Sequence, residues 1–325
     1  MNTQFTFPEI SAESATEFLK EIVEDNVVLP GDENGDFNRF LQHLAYILMS
    51  GADPNVKSDS TGNTFLHNVL SFSHINGNEF KLMKLCRLFL LSSRFDQYIV
   101  NNNGDAIIHK AAGIDCPYFL QLYLRRNGTD VNIQDRAKNT ALRIVCNTGI
   151  TRNGDATPVQ KMKLLLNAGA NPNIANEQNF TPIFDVCYRL QSYVSNDVDP
   201  LPVIEMLLEA GANPNITIVN HAALDTKTCL HQLASYGGLR VSGEICTILL
   251  MKGGAKLNVK DRHGRTPLDV AELCDNIYVI DAINTFNERM FSIGAMDHKR
   301  LAEGQPSRLL SDDVMRRIMN LSLAR

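Results

Sequence analysis

Gly169-Ala-Asn-Pro-Asn173, followed twelve residues after its glycine by Thr181-Pro-Ile-Phe184, is the stretch from which the fold can be read. Both strings recur. The first returns as Gly51-Ala-Asp-Pro-Asn55 and Gly211-Ala-Asn-Pro-Asn215, and more loosely as Gly128-Thr-Asp-Val-Asn132 and Gly254-Ala-Lys-Leu-Asn258. The second returns as Thr64-Phe-Leu-His67, Thr140-Ala-Leu-Arg143, Thr228-Cys-Leu-His231 and Thr266-Pro-Leu-Asp269. Ala106-Ile-Ile-His109 is a further copy, whose preceding stretch has lost the first string. Self-similarity of this kind marks an array of small units that bury their faces against one another. Thr opening the second string can cap the free N–H groups of a helix, and Pro one place later suits a first helical turn. The glycine of the first string can take the left-handed conformation that closes the preceding helix. Apolar runs such as Met162–Leu166 and Val203–Leu208 supply the second helix of a unit, with a buried face at helical spacing.

Together the two strings resemble the ankyrin repeat, whose pattern opens one helix on T-P-L-H-x-A and ends the next on L-L-x-x-G-A. The most faithful unit is Asp261–Ala271, and the resemblance covers residues 38 to 286. It implies an all-α solenoid of helix-turn-helix units with β-hairpin-like fingers, about seven repeats with degenerate ends. The organisation expected is an N-terminal helical cap over 1–37, an array over 38–286 and a helical tail over 287–325. Successive Thr-equivalent positions lie 42, 34, 41, 47 and 38 residues apart, against the family's period of about 33. The extra length falls mostly between paired helices, at Phe72–Asn78, Thr148–Thr157, Gln191–Pro200 and Tyr236–Ser242, with one extended finger at Ile216–Lys227. Insertions on this scale suggest contact loops.

At the N-terminus Ser14 and Glu17 have capping-box spacing ahead of Phe18, Leu19, Ile22 and Val23, which predicts a short amphipathic helix covering the first repeat. At the other end, Val314, Ile318 and Leu321 form a stripe beside Met315 and Met319, behind an N-cap at Ser311. Over fifteen residues the run 309–323 is similar to the opening helix of an F-box, the module that docks onto a ubiquitin-ligase adaptor. The later F-box helices are lacking. A C-terminal cap or a translocation signal is the other reading of this segment.

Composition narrows the function. The net charge of -5 and the absence of Trp disfavour nucleic acid as partner. Seven dispersed cysteines without a C-x-x-C pair point to a reducing, cytoplasmic compartment. No apolar run is long enough for a membrane span. No phosphate-binding glycine motif and no zinc spacing occurs, so neither an enzyme nor a cofactor or metal is expected. His67, His109 and His231 share the fourth place of the second string, where the resemblance implies a structural bond to the neighbouring finger. Cys146 and Cys187 fill a slot that is Ala112 or Ala234 in sister repeats, so they read as small packing residues. Cys116 and Cys274 are expected to be partly exposed.

The expected function is protein binding by a monomeric scaffold, through the concave face and fingertips. Positions that differ between repeats nominate the contacts: Asn68, Lys110, Asp185 and Gln232 at the fifth place, and Phe72, Tyr188, Arg189 and Tyr236 after the small slot. Fingertip residues Arg136, Lys138 and Arg262, with Lys57, Lys260 and His263, form a mildly basic edge against Asp135, Glu177 and Asp261. Degenerate repeats and long insertions are similar to ankyrin proteins that intracellular bacteria deliver into host cells, which implies a eukaryotic partner. The rival reading is a ubiquitin-ligase substrate receptor, docked through Val314, Ile318 and Leu321.

Overall fold

A computed structural model describes residues 9–24, 36–71, 79–148, 157–190, 201–220, 225–236 and 241–288. Among them, seven helix pairs succeed one another. The first helices of the pairs are α1 (Ala12–Glu24), α3 (Phe65–Ser71), α5 (Ile107–Gly113), α7 (Ala141–Thr148), α9 (Pro182–Arg189), α11 (Cys229–Ala234) and α13 (Pro267–Leu273). The second helices are α2 (Asp36–Met49), α4 (Glu79–Leu90), α6 (Pro117–Leu124), α8 (Thr157–Asn167), α10 (Leu201–Glu209), α12 (Val241–Lys252) and α14, residues 277–288. First helices stack on first helices from α1 to α13, and second helices on second helices from α2 to α12. The expected N-terminal helix, α1, packs on α2 and α3 as each later first helix packs on its own neighbours.

Local chemistry explains several of these boundaries. Thr181 Oγ1 accepts the Phe184 N–H at 3.4 Å, and Pro182 takes the first turn. Ser11 Oγ, not Ser14, accepts the N–H that starts α1, because the helix begins three residues earlier than the capping-box spacing suggested. Second helices end in the predicted left-handed glycines, such as Gly169 and Gly211 at φ 89° and 85°. The following N–H then closes the helix, from Ala170 to Leu165 O at 3.0 Å and from Ala212 to Leu207 O at 2.9 Å.

The core is one continuous apolar seam running from Ala15 to Ile283. Third-place residues Leu66, Ile108, Leu142, Ile183 and Leu230 are all fully buried between units. Each such side chain contributes about 1.5–3 kcal/mol relative to exposure, and a unit lacking a neighbour forfeits it. Cys86, Cys146, Cys187, Cys229 and Cys246 lie in the same seam. Cys116 is buried as well, contrary to expectation, because it directly precedes α6 and belongs to the same apolar core as Ile114 and Phe119; Cys274 stays partly exposed.

Polar bonds fix the register between units. The Asn that ends the first string donates from its side-chain amide to the next glycine carbonyl and accepts the N–H two residues further on. Asn132 does so at Gly169 O (3.3 Å) and Asn171 N (2.8 Å), Asn173 at Gly211 O (2.9 Å) and Asn213 N (2.7 Å), and Asn215 at Gly254 O (2.9 Å) and Lys256 N (2.7 Å). Where the first string is degenerate, Tyr98 substitutes and its hydroxyl donates to Gly128 O. Fingertips join along the array, with Asn102 N donating to Thr61 O, Arg136 N to Asn103 O and Glu177 N to Ala137 O. The extended finger forms a hairpin, β1 (Ile218–Asn220) against β2 (Asp225–Lys227), antiparallel with Val219 opposite Thr226. Phe72 and the C-terminal stripe Val314, Ile318 and Leu321 lie outside the described residues.

Candidate protein-binding face

The first helices and the fingers form one continuous face, and the sequence register assigns its rows. Fourth-place histidines occupy the junctions rather than the surface. His67 Nδ1 accepts the Thr64 N–H at 3.2 Å, while Nε2 donates to Asp105 O at 2.8 Å in the next finger. His109 repeats this, with Nδ1 on Ala106 N at 2.9 Å and Nε2 on Ile133 O at 3.0 Å. Burial lowers the pKa of both, that of His67 to about 4, so both rings are neutral near pH 7. Neither offers itself as a catalytic base.

The fifth-place residues expected at the recognition face are mostly spent on the same junctions. Asn68, only 3% exposed, donates to Val23 O at 2.9 Å and accepts from Asn63 at 2.8 Å. Asp185 is buried against Arg143, with Arg143 Nε at 2.7 Å and Nη2 at 3.1 Å from its carboxylate oxygens. Burial pushes the Asp185 pKa up to about 6 despite the adjacent guanidinium. Gln232 is buried. Lys110 reaches the surface but pairs with Asp105 at 2.7 Å. The cause is simple: Asn68 and Asp185 lean on the preceding unit, so their variety reflects differing neighbours within the chain. Asn68, Asp185 and Gln232 are out of a partner's reach.

The row after the small slot is different. Its eighth-place members are Ser71, Gly113, Asn147, Tyr188, Ser235 and Leu273, and none of them is buried. At Gly113 a side chain would meet nothing within 4 Å, so the face is open there. Tyr188 is 45% exposed, its ring held by Phe180 at 5.6 Å and 49°. Phe180 in turn packs on Phe184, which replaces the fourth-place histidine. The Tyr188 ring therefore packs on Phe180 of its own unit. Arg189 crosses back one unit to Asn147, whose amide oxygen accepts from Nε at 2.8 Å and from Nη2 at 2.6 Å. Tyr236 is half-buried against the core, and its carbonyl accepts from buried Asn276 at 2.9 Å.

Leu273 is the residue that motif reading passed over. It stands 67% exposed in the last unit, in the same row as Tyr188. Continuing the register one repeat further was the signal that could have found it. On the finger edge, Arg136, Lys138 and Arg262 are exposed, and Lys138 holds a left-handed turn at φ 60°. Among the described residues, no group of three or more His, Cys, Asp or Glu could hold a metal ion, and no helix is long and apolar enough to cross a membrane.

No protein-family model matches the sequence, and no curated protein matches it. Among solved structures, the chain is similar to the ankyrin repeat domain of Bcl-3, described as a unique member of the IkappaB protein family. The two are 20% identical, the match covers 76% of this chain and 94% of that one, and the TM-score is 0.56. Sequence strings, stacked helix pairs and this likeness agree on one architecture: the chain has the ankyrin-repeat fold.

Proposed function

We propose that this protein is a non-catalytic scaffold that binds a partner protein along its concave face, centred on Tyr188 and Arg189. The observation that carries this reading is a large aromatic side chain, presented to solvent and held in place by its own repeat. A rigid exposed Tyr beside an Arg is the composition of an interface hot spot, since little conformational entropy is lost on binding. Asn147 and half-buried Tyr236 flank it, Leu273 extends the apolar row, and the fingertip cations Arg136, Lys138 and Arg262 line the opposite edge. The fourth-place histidines and six of the seven cysteines are enclosed in packing, which favours binding over chemistry.

The finer reading is action inside a eukaryotic host cell. It is supported by the likeness of the long insertions to those of delivered ankyrin proteins. Proximity labelling in eukaryotic cells, comparing the wild type with Tyr188→Ala/Arg189→Ala, tests both levels. Loss of a defined set of neighbours in the double variant supports the face. An identical set in both proteins overturns it.

A further inference from the structure

The last helix pair ends unlike any before it. In five earlier units the third, fourth and seventh places are buried toward the next unit, as at Leu66, His67 and Leu70 or at Leu230, His231 and Ala234. In the last unit Leu268 is only half-buried, and Asp269 and Glu272 are exposed. Leu273 and Ile277 stand in water at 67% and 58% exposure. Residues 266–288 hold five acidic side chains (Asp269, Glu272, Asp275, Asp281 and Glu288) and no Lys or Arg; all five are exposed. Glu272, Asp275 and Asp281 make no ion pair among the described residues. A terminal repeat needs a polar outer face. It does not need one of a single sign, where carboxylates repel one another, or two large apolar side chains beside them.

The chain that follows is complementary in both respects. Residues 289–325 contain seven Lys or Arg against four Asp or Glu, a net charge of +3, which leaves -8 on the preceding 288 residues of the -5 total. Arg308, Arg316 and Arg317 flank the apolar stripe Val314, Ile318 and Leu321. Reach is no obstacle. About 20 residues separate Glu288 from Leu309, up to roughly 65 Å of extended chain, whereas the twelve residues of α14 span only about 18 Å.

We propose that the segment 308–325 docks on the end of its own array, laying Val314, Ile318 and Leu321 over Leu268, Leu273 and Ile277, with Arg308, Arg316 and Arg317 facing Glu272, Asp275 and Asp281. This gives the stripe an intramolecular occupancy in place of an adaptor. It shares only Leu273 with the concave-face reading, which is centred on Tyr188 and Arg189, and the two are tested by different variants.

Cys274 is a native reporter, because it adjoins Leu273 and is the one cysteine that is not buried. In the full-length protein its alkylation rate, read by mass spectrometry, is expected to rise about tenfold in Arg308→Glu/Arg316→Glu/Arg317→Glu, and similarly for wild type in 1 M NaCl. Adding Glu272→Arg/Asp275→Arg/Asp281→Arg to the first triple variant restores slow alkylation by exchanging the charges. An unchanged rate in the tail variant overturns the proposal, and that variant touches no residue of the array. So does a charge-exchanged protein that alkylates as fast as the tail variant. A wild-type rate that slows with rising protein concentration overturns it in favour of a second copy.

Discussion

Two junctions in the same array solve one problem with opposite chemistry. Between the units built on α3 and α5, a neutral histidine bridges its own helix start and the next finger's carbonyl. Between those built on α7 and α9, Arg143 stands at the histidine's place and forms an ion pair with Asp185 that is almost wholly buried. The neutral bridge satisfies every buried polar atom at little desolvation cost. The charged bridge carries a desolvation penalty large enough to push Asp185 to about 6. Variation at a repeat position can therefore record which neighbour a unit must recognise. It need not record a partner at all.

Breaking the charged junction has the largest expected effect. Arg143→Ala leaves a carboxylate buried without its cation, and urea denaturation should show a loss of about 3–5 kcal/mol. A loss below 1 kcal/mol would mean that Asp185 simply takes up a proton at neutral pH.

The neutral junction is tested by acid. The folded-state pKa of His67 is lowered, so its contribution is present above pH 6.5 and is lost as pH falls toward about 4. The difference corresponds to about 3 kcal/mol at full protonation. Asp185 works in the opposite sense between pH 6 and its ordinary range, since the folded chain binds that proton first. Denaturation midpoints measured from pH 7 to pH 4 should fall in wild type, less steeply in His67→Gln and more steeply in Asp185→Asn.

Smaller effects sharpen the contrast between framework and face. Thr181→Ala removes one helix cap and should cost about 1 kcal/mol by thermal unfolding. Tyr188→Ala should change stability by less than about 0.5 kcal/mol, because Tyr188 is 45% exposed and bridges no two repeats among the described contacts. In the captured complex the same change should weaken binding by about tenfold or more. A stability loss comparable to that of Thr181→Ala would instead identify Tyr188 as packing.

Much of this was legible in the sequence because backbone geometry demands the same residues in every unit. Thr at a helix start, Gly at φ near 90° and Asn bonding across to the next glycine carbonyl are local requirements, repeated as often as the unit itself. The site was only partly legible. Tyr188 is exposed and Lys110 and Arg189 are half-buried, whereas Asn68, Asp185 and Gln232, equally variable, turned inward. Leu273 followed from register alone, but nothing local marked it as exposed. The repeating unit, its caps and its order could be read from the residues alone, since these depend on neighbours close along the chain. Which variable side chains serve the next repeat and which reach solvent was decided only by tertiary structure. That choice depends on how far one helix leans on another, some forty residues away, as Arg143 does on Asp185.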